Sequence, residues 1–296
     1  MMRIDLWFTA LSCIALSAIG CGGADAEEIA NQDDGPETRL ESEPYELQPG
    51  EEKYFCYTMR LPQDAETVVT SFIPEYGEGT HHILFVQTLA DEPDGMFECP
   101  VLFQTTWIPL YAGGVASSPL VLPDGAAVRL PAGKQLLMQL HLQNPTAAPI
   151  SAKTAMRMKL ADPDVETTPA GIWGMDNRAI DIPPQAEKAE TSMSCEADRD
   201  MDVFGVLGHM HKMGKEIEVT AKSTETVISE AWSFADQPIL PVNVHVSKGD
   251  SLTLRCNHAN PTMKQIGYGE SSDQEMCAVV FFYTPYEGLS GCLHLE

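Results

Sequence analysis

Apolar and polar residues alternate in short runs along most of this sequence, and Gly, Pro, Asn and Asp cut the runs apart. "YFCYTMRL", "HHILFVQTL", "QLLMQLHLQN", "AKTAMRMKLA", "KEIEVTAK" and "MCAVVFFYTP" all follow this rule. Alternation places every second side chain on one face of an extended strand, whereas a helix needs apolar residues three and four apart. No segment carries a sustained helical stripe with caps. The chain is therefore expected to be all-β, with two antiparallel β-sandwich domains in tandem. "ADPDVETTPAG", residues 161–171, has two prolines and no apolar run. It sets the expected domains at 47–165 and 166–296. No internal sequence repeat is legible.

Composition bounds the partners. A formal charge of −25 opposes nucleic acid and anionic lipid surfaces. The first residues carry one Arg and an apolar run from Leu6 to Ile19, too short to span a bilayer and typical of an export signal. The run closes on Ala18-Ile19-Gly20-Cys21, which resembles a bacterial lipobox. Residues 1–20 are thus expected to be a signal peptide and Cys21 the lipidated residue. Ordinary cleavage after Ala24-Asp25-Ala26 is the competing reading. Gly22, rather than Asp, after the cysteine suggests the outer membrane of a Gram-negative cell. Membrane contact is then expected only through the lipid, and the protein is expected to act as a monomer. From Gly22 to Glu46 there are nine Asp or Glu and one Arg, so residues 21–46 are expected to be an unordered acidic tether. Six cysteines remain, an even number that favours three disulfides in an exported chain and leaves fifteen pairings open.

Candidate chemistry lies in the histidines. "VLGHMHKMG", residues 206–214, sets His209 and His211 two apart. On a strand both imidazoles face one side and can share a metal, although two same-face histidines are also common on a solvated strand. His81 and His82, in "GTHHILF", face opposite ways in a regular strand. They reach one ion only if the backbone is distorted, which Gly79 permits. His141 sits inside an apolar run, where a buried imidazole needs a metal or a hydrogen bond. Met276 is core filler by default among fourteen methionines, or else a soft thioether ligand suited to Cu(I). His245 alternates with Val244 and Val246 on a strand face, His258 lies in the turn-like "CNHANP", and His294 adjoins the end of the sequence. No chemistry is assigned to these three.

Taken together, "YFCYTMRLP", "HHILF", "QLH", "HMHKMGK", "RCN" and "SSDQEMC" resemble the copper type II, ascorbate-dependent monooxygenases, in order and approximate spacing. That family is typified by peptidylglycine α-hydroxylating monooxygenase and dopamine β-monooxygenase, and the resemblance covers most of residues 50–292. It implies two coppers per chain. His81, His82 and His141 would hold an electron-storing copper in the first domain. His209, His211 and Met276 would hold the catalytic copper in the second, with the two sites facing each other across an open, water-filled cleft. It also implies the disulfides Cys56–Cys99, Cys195–Cys292 and Cys256–Cys277. The implied reaction inserts one atom of O2 into an activated C–H bond of a small organic substrate, with ascorbate or another one-electron reductant as co-substrate. Gln139, on the face of His141, would orient water there or make a structural hydrogen bond. Period-2 spacing puts Leu207, Ala278 and Val280 beside the second copper as substrate-pocket residues, where the peptide-amidating enzyme has an Arg, an Asn and a Tyr to grip a carboxylate. The alternative function is an envelope copper-binding or copper-storage protein without turnover.

Overall fold

The structure, a computed structural model, describes residues 35–99, 103–114, 117–223 and 225–292. The signal peptide, Cys21 and His294 lie outside the described residues. Among the described residues there is no α-helix, and the strands form antiparallel sheets with only short parallel additions. In the first half, one sheet takes the order Glu37–Glu41, Ala155–Ala161, Thr67–Glu75, Ala126–Leu130 and Thr168–Pro169. The other takes the order Gly95–Glu98, Glu52–Arg60, Gln135–Gln143, Thr80–Thr88 and Trp107–Gly114. Their alternating apolar faces meet in a core built around Phe72, Phe85, Tyr111 and Leu130.

The second half repeats the plan. Leu240–Val246, Met201–Met210, Cys277–Thr284, Gly171–Asp176 and Ser290–Cys292 form one sheet, and Ala189–Glu196, Ser251–His258, Gly214–Ala221 and Glu225–Ala231 the other. Eight strands of each half, taken in chain order, occupy equivalent places. A shared turn marks the repeat that the sequence conceals. Asn144 and Asn260 each begin an Asn-Pro-Thr turn, in which the asparagine Oδ1 accepts from the backbone N–H and hydroxyl of the threonine two residues on. Three residues in common among so many diverged ones are too few to register as a repeat.

The acidic tether requires correction over its described part. Glu37–Glu41 pairs with Ala155–Ala161, and Tyr45–Leu47 pairs with Ile150–Ala152. Two mechanisms overcome the unfavourable composition. Leu40 and Tyr45 are buried, and the acidic side chains meet bases, Glu41 pairing with Lys153 at 2.8 Å and Glu37 with Arg157 at 3.4 Å. The chain passes between halves later than the composition suggests, because Thr168–Pro169 still pairs with Ala126–Ala127.

Three disulfides are present: Cys56–Cys99, Cys195–Cys292 and Cys256–Cys277. Such bonds persist in oxidising compartments, so the chain is an exported one. The last two each join the sheets of the second half. Near Cys292, Asp198 accepts hydrogen bonds from Trp173 Nε1 (3.2 Å), Ser290 Oγ (2.6 Å) and Arg199 Nη2 (2.8 Å). Arg199 above all holds the Asp198 carboxyl down to about 2. A lowered carboxyl stabilises the fold only while ionised, so its contribution is present above about pH 4 and lost as pH falls toward 2. Asp198→Asn should therefore unfold in less denaturant than the parent at pH 6, and the gap should close near pH 2. A gap that persists at pH 2 would assign the loss to shape rather than charge.

Candidate metal centres

The backbone distortion that His81 and His82 require is present. Gly79 adopts φ +85°, and the ladder between Gln135–Gln143 and Thr80–Thr88 slips, so that His141 pairs with His82 while Leu142 pairs with Thr80. His81 is the extra residue of a bulge, which turns its side chain to the same side as its neighbour's. Each of the three imidazoles of His81, His82 and His141 offers a ligand atom, and these atoms lie within 4.8 Å of one another. His82 Nε2 and His141 Nδ1 stand 2.9 Å apart. Both ring nitrogens of His81 are buried without a well-formed hydrogen bond, the Phe234 backbone offering only a weak one. Burial holds His81 down to about 4 and His82 well below the usual imidazole value. Neutral rings with inward lone pairs are what a metal ion requires.

His209 and His211 form a second group, their ring centroids 5.2 Å apart. His209 lies in the strand Met201–Met210 and His211 just past its end. Each is oriented through Nδ1: that of His209 meets Gln237 Oε1 at 3.0 Å, and that of His211 meets the Gln274 carbonyl at 3.1 Å. Both rings are thereby set to offer Nε2, and Nε2 of His209 is buried with no partner. Burial lowers His209 to about 4 and His211 to about 3. Met276, buried, precedes the strand Cys277–Thr284, which Cys256–Cys277 pins. Sequence reasoning missed Glu275, which is fully buried. Its carboxyl group accepts from the backbone N–H groups of His211 (3.0 Å), Met213 (2.7 Å) and Met276 (3.1 Å), holding both ends of this group on one buried side chain.

The open cleft between the two groups is corrected. The rings of His82 and His209 lie 5.4 Å apart, edge to face. Phe234 packs at 4.2 Å from His81 and 6.4 Å from His211. The sheet carrying His209 has two apolar faces. One covers its own core, while Ile172, Leu207 and Phe282 on the other join the core cluster of the first half. Each such side chain gains about 1.5–3 kcal/mol on leaving water, so the halves close on one another. Gln237 adds a further contact between the halves: its backbone carbonyl accepts from Ser117 Oγ at 2.5 Å, and Gly114 packs so closely on its side chain that a Cβ there would clash with it.

A cavity of about 180 Å³ opens beside His82, His209 and Met276. Leu207, Ala278 and Val280 all line it. Arg178 and Asp176 also border it, but Arg178 Nε donates to Asp176 Oδ2 at 2.9 Å and its guanidinium lies 5.0 Å from the Tyr268 ring. Gln139 is buried and donates to the Cys99 carbonyl at 3.5 Å, a tie to the Cys56–Cys99 bridge. His245 is an exposed strand residue paired with Asp202. His258, read as part of a turn, is instead the buried last residue of Ser251–His258, with Nε2 3.2 Å from Thr191 Oγ1. The turn begins two residues later, at Asn260.

An all-β chain with a buried three-histidine group beside a histidine–methionine group offers neutral donors that could hold metal ions. Comparison with known proteins adds a family likeness. Residues 169–295 match the copper type II ascorbate-dependent monooxygenase C-terminal domain. The chain is 27% identical over 270 residues to peptidylglycine alpha-amidating monooxygenase of Rattus norvegicus, covering 84% of this chain and 28% of that protein. The Mus musculus enzyme is also 27% identical, covering 78% of this chain and 25% of that protein. Putative DBH-like monooxygenase protein 2 of Homo sapiens is 22% identical over 81% of this chain and 55% of that protein. The chain thus spans about a quarter of the length of the first two and about half of the third. Its second half is thus similar to the C-terminal domain of the copper type II, ascorbate-dependent monooxygenases, and most of its length is similar to members of that family.

Proposed function

We propose that the chain is a copper-dependent monooxygenase that hydroxylates an activated C–H bond of a small, neutral, largely apolar substrate, using O2 and an external one-electron reductant such as ascorbate. In this reading His81, His82 and His141 hold one copper, His209, His211 and Met276 hold the other, and the two sandwiches are separate domains of one exported protein anchored at Cys21. The observation that carries it is the apolar cavity ending on His209 and Met276. The donor sets fit copper. Imidazole suits both oxidation states, and two imidazoles with a thioether carry no anion to favour Cu(II), which leaves Cu(I) preferred.

Copper bound there would supply the one-electron redox chemistry and the activation of O2. The residues of the chain do the rest. Gln237 and the Gln274 carbonyl fix the tautomers of His209 and His211, and the backbone bonds to Glu275 hold His211 and Met276 together. Leu207, Ala278 and Val280 supply apolar contact that orients the substrate and excludes water. The test is oxygen uptake by copper-loaded protein with reductant and a panel of substrates carrying benzylic or similarly weak C–H bonds. Hydroxylated product in step with oxygen supports the reading. Copper binding with no product from any substrate would leave a copper-storage protein instead.

Met276→Ile keeps bulk and removes sulfur. It should weaken Cu(I) retention and abolish oxygen chemistry while costing only about 1 kcal/mol of stability. Unchanged turnover, measured beside a thermal melt, would make Met276 core filler.

A further inference from the structure

Among the described residues, Glu52 is the one carboxylate seen hydrogen-bonded to an imidazole of either group, and neither motif nor spacing singled it out. It opens the strand Glu52–Arg60, two residues before Tyr54 and hence on the same face, and Tyr54 pairs in register with His141. Its Oε1 accepts from His141 Nε2 at 2.7 Å. The same carboxylate also reaches into the second half. Oε1 accepts from the Ser272 backbone N–H at 3.2 Å and Oε2 from Ser272 Oγ at 3.0 Å. Tyr54 reinforces both contacts: its ring stacks on His141 at 4.3 Å with planes 3° apart, and its hydroxyl donates to the Glu270 carbonyl at 2.7 Å. Ser272 is fully buried and stands four residues before Met276.

We propose that Glu52 is a positioning residue for the three-histidine group: it holds His141 in the Nε2–H tautomer with the Nδ1 lone pair turned toward His82, and it ties that orientation to the loop leading to Met276. This rests on the metal reading above for its consequence but not for its geometry. An imidazole has two tautomers, and only one leaves Nδ1 free to face His82. A carboxylate on the far nitrogen selects that tautomer and stops the ring from turning. Ser272 supplies the second function, because Glu52 can satisfy all three contacts only while the 269–275 loop sits against the first half. The histidine group and the methionine loop are then joined through one side chain.

The full chain labelled with 15N at histidine, free of metal and at pH 8, tests the geometry directly. His141 should show a protonated Nε2 and an unprotonated Nδ1. Glu52→Ala should bring the other tautomer into exchange, Glu52→Gln should keep part of the selection through its amide oxygen, and Ser272→Ala should leave the tautomer intact. In a His211→Ala background, which leaves only the three-histidine group, Glu52→Ala should weaken copper binding about 10- to 100-fold and raise the reduction potential of the bound ion. An unchanged His141 tautomer in Glu52→Ala overturns the proposal. Wild-type protein with the expected tautomer but no affinity for copper would overturn the metal reading while leaving the positioning role of Glu52 standing. If Glu52→Ala does not fold, Glu52→Gln decides the matter: a tautomer population and copper affinity equal to the parent's would refute the role.

Discussion

His211→Ala is expected to reduce bound copper from two ions per chain to one and to remove turnover below detection, with the fold retained. His211 is almost completely buried, and its Nδ1 is committed to the Gln274 carbonyl, so Nε2 is what it offers to a metal. Loss of even an outer partner costs about 10- to 100-fold in metal affinity, and loss of a direct ligand from a three-ligand set costs more. The fold survives because the bond that anchors this turn to Glu275 is made by the backbone N–H, which alanine keeps. Retention of the first ion is a demanding expectation, because the two groups are neighbours across the His82–His209 contact of 5.4 Å rather than distant sites. Metal analysis and the Cu(II) paramagnetic spectrum of the reconstituted variant check it. Loss of both ions together would mean that the six residues bind as one cluster, and two ions retained would remove His211 from the ligand set.

Glycine-extended peptides are expected to be rejected by a factor of at least about a hundred in kcat/KM relative to the best apolar substrate. The cavity beside His209 and Met276 is lined by Leu207, Ala278 and Val280. An anion placed against them loses its hydration with nothing in return, a penalty of several kcal/mol, and each ~1.4 kcal/mol is tenfold. Arg178 does not rescue it. Its Nε is taken by Asp176, and the pair is close to neutral from the viewpoint of an incoming anion. Competition between a C-terminal glycine peptide and a neutral aromatic compound of similar size, read as product, makes the comparison. Comparable rates would show that Arg178 exchanges Asp176 for the substrate and that the cavity is not apolar in use.

Several readings needed only the order of residues. Leu207, Ala278 and Val280 reach the cavity because side chains two apart on a strand share a face, a rule that holds whatever the strand packs against. The distortion at His81 was legible as a requirement, since two adjacent histidines cannot otherwise converge, and Gly79 was the residue able to meet it. The tether misled for the opposite reason. Its composition counts nine acids, but whether a segment orders depends on what it meets, and Lys153, Arg157 and the pockets for Leu40 and Tyr45 lie more than a hundred residues away or in another sheet.

By itself the sequence determined the β class and the exported character carried by its cysteines, and it marked out the histidines that the fold gathers, because period and residue chemistry are local properties. Tertiary structure alone decided that the two histidine groups touch, that Gln237 meets His209 and Phe234 packs on His81, and that Glu52 reaches both His141 and Ser272. These contacts join residues up to 220 positions apart. They depend on strand register and on which sheet face packs against which, and alternation reports that a strand has a buried face without reporting what covers it.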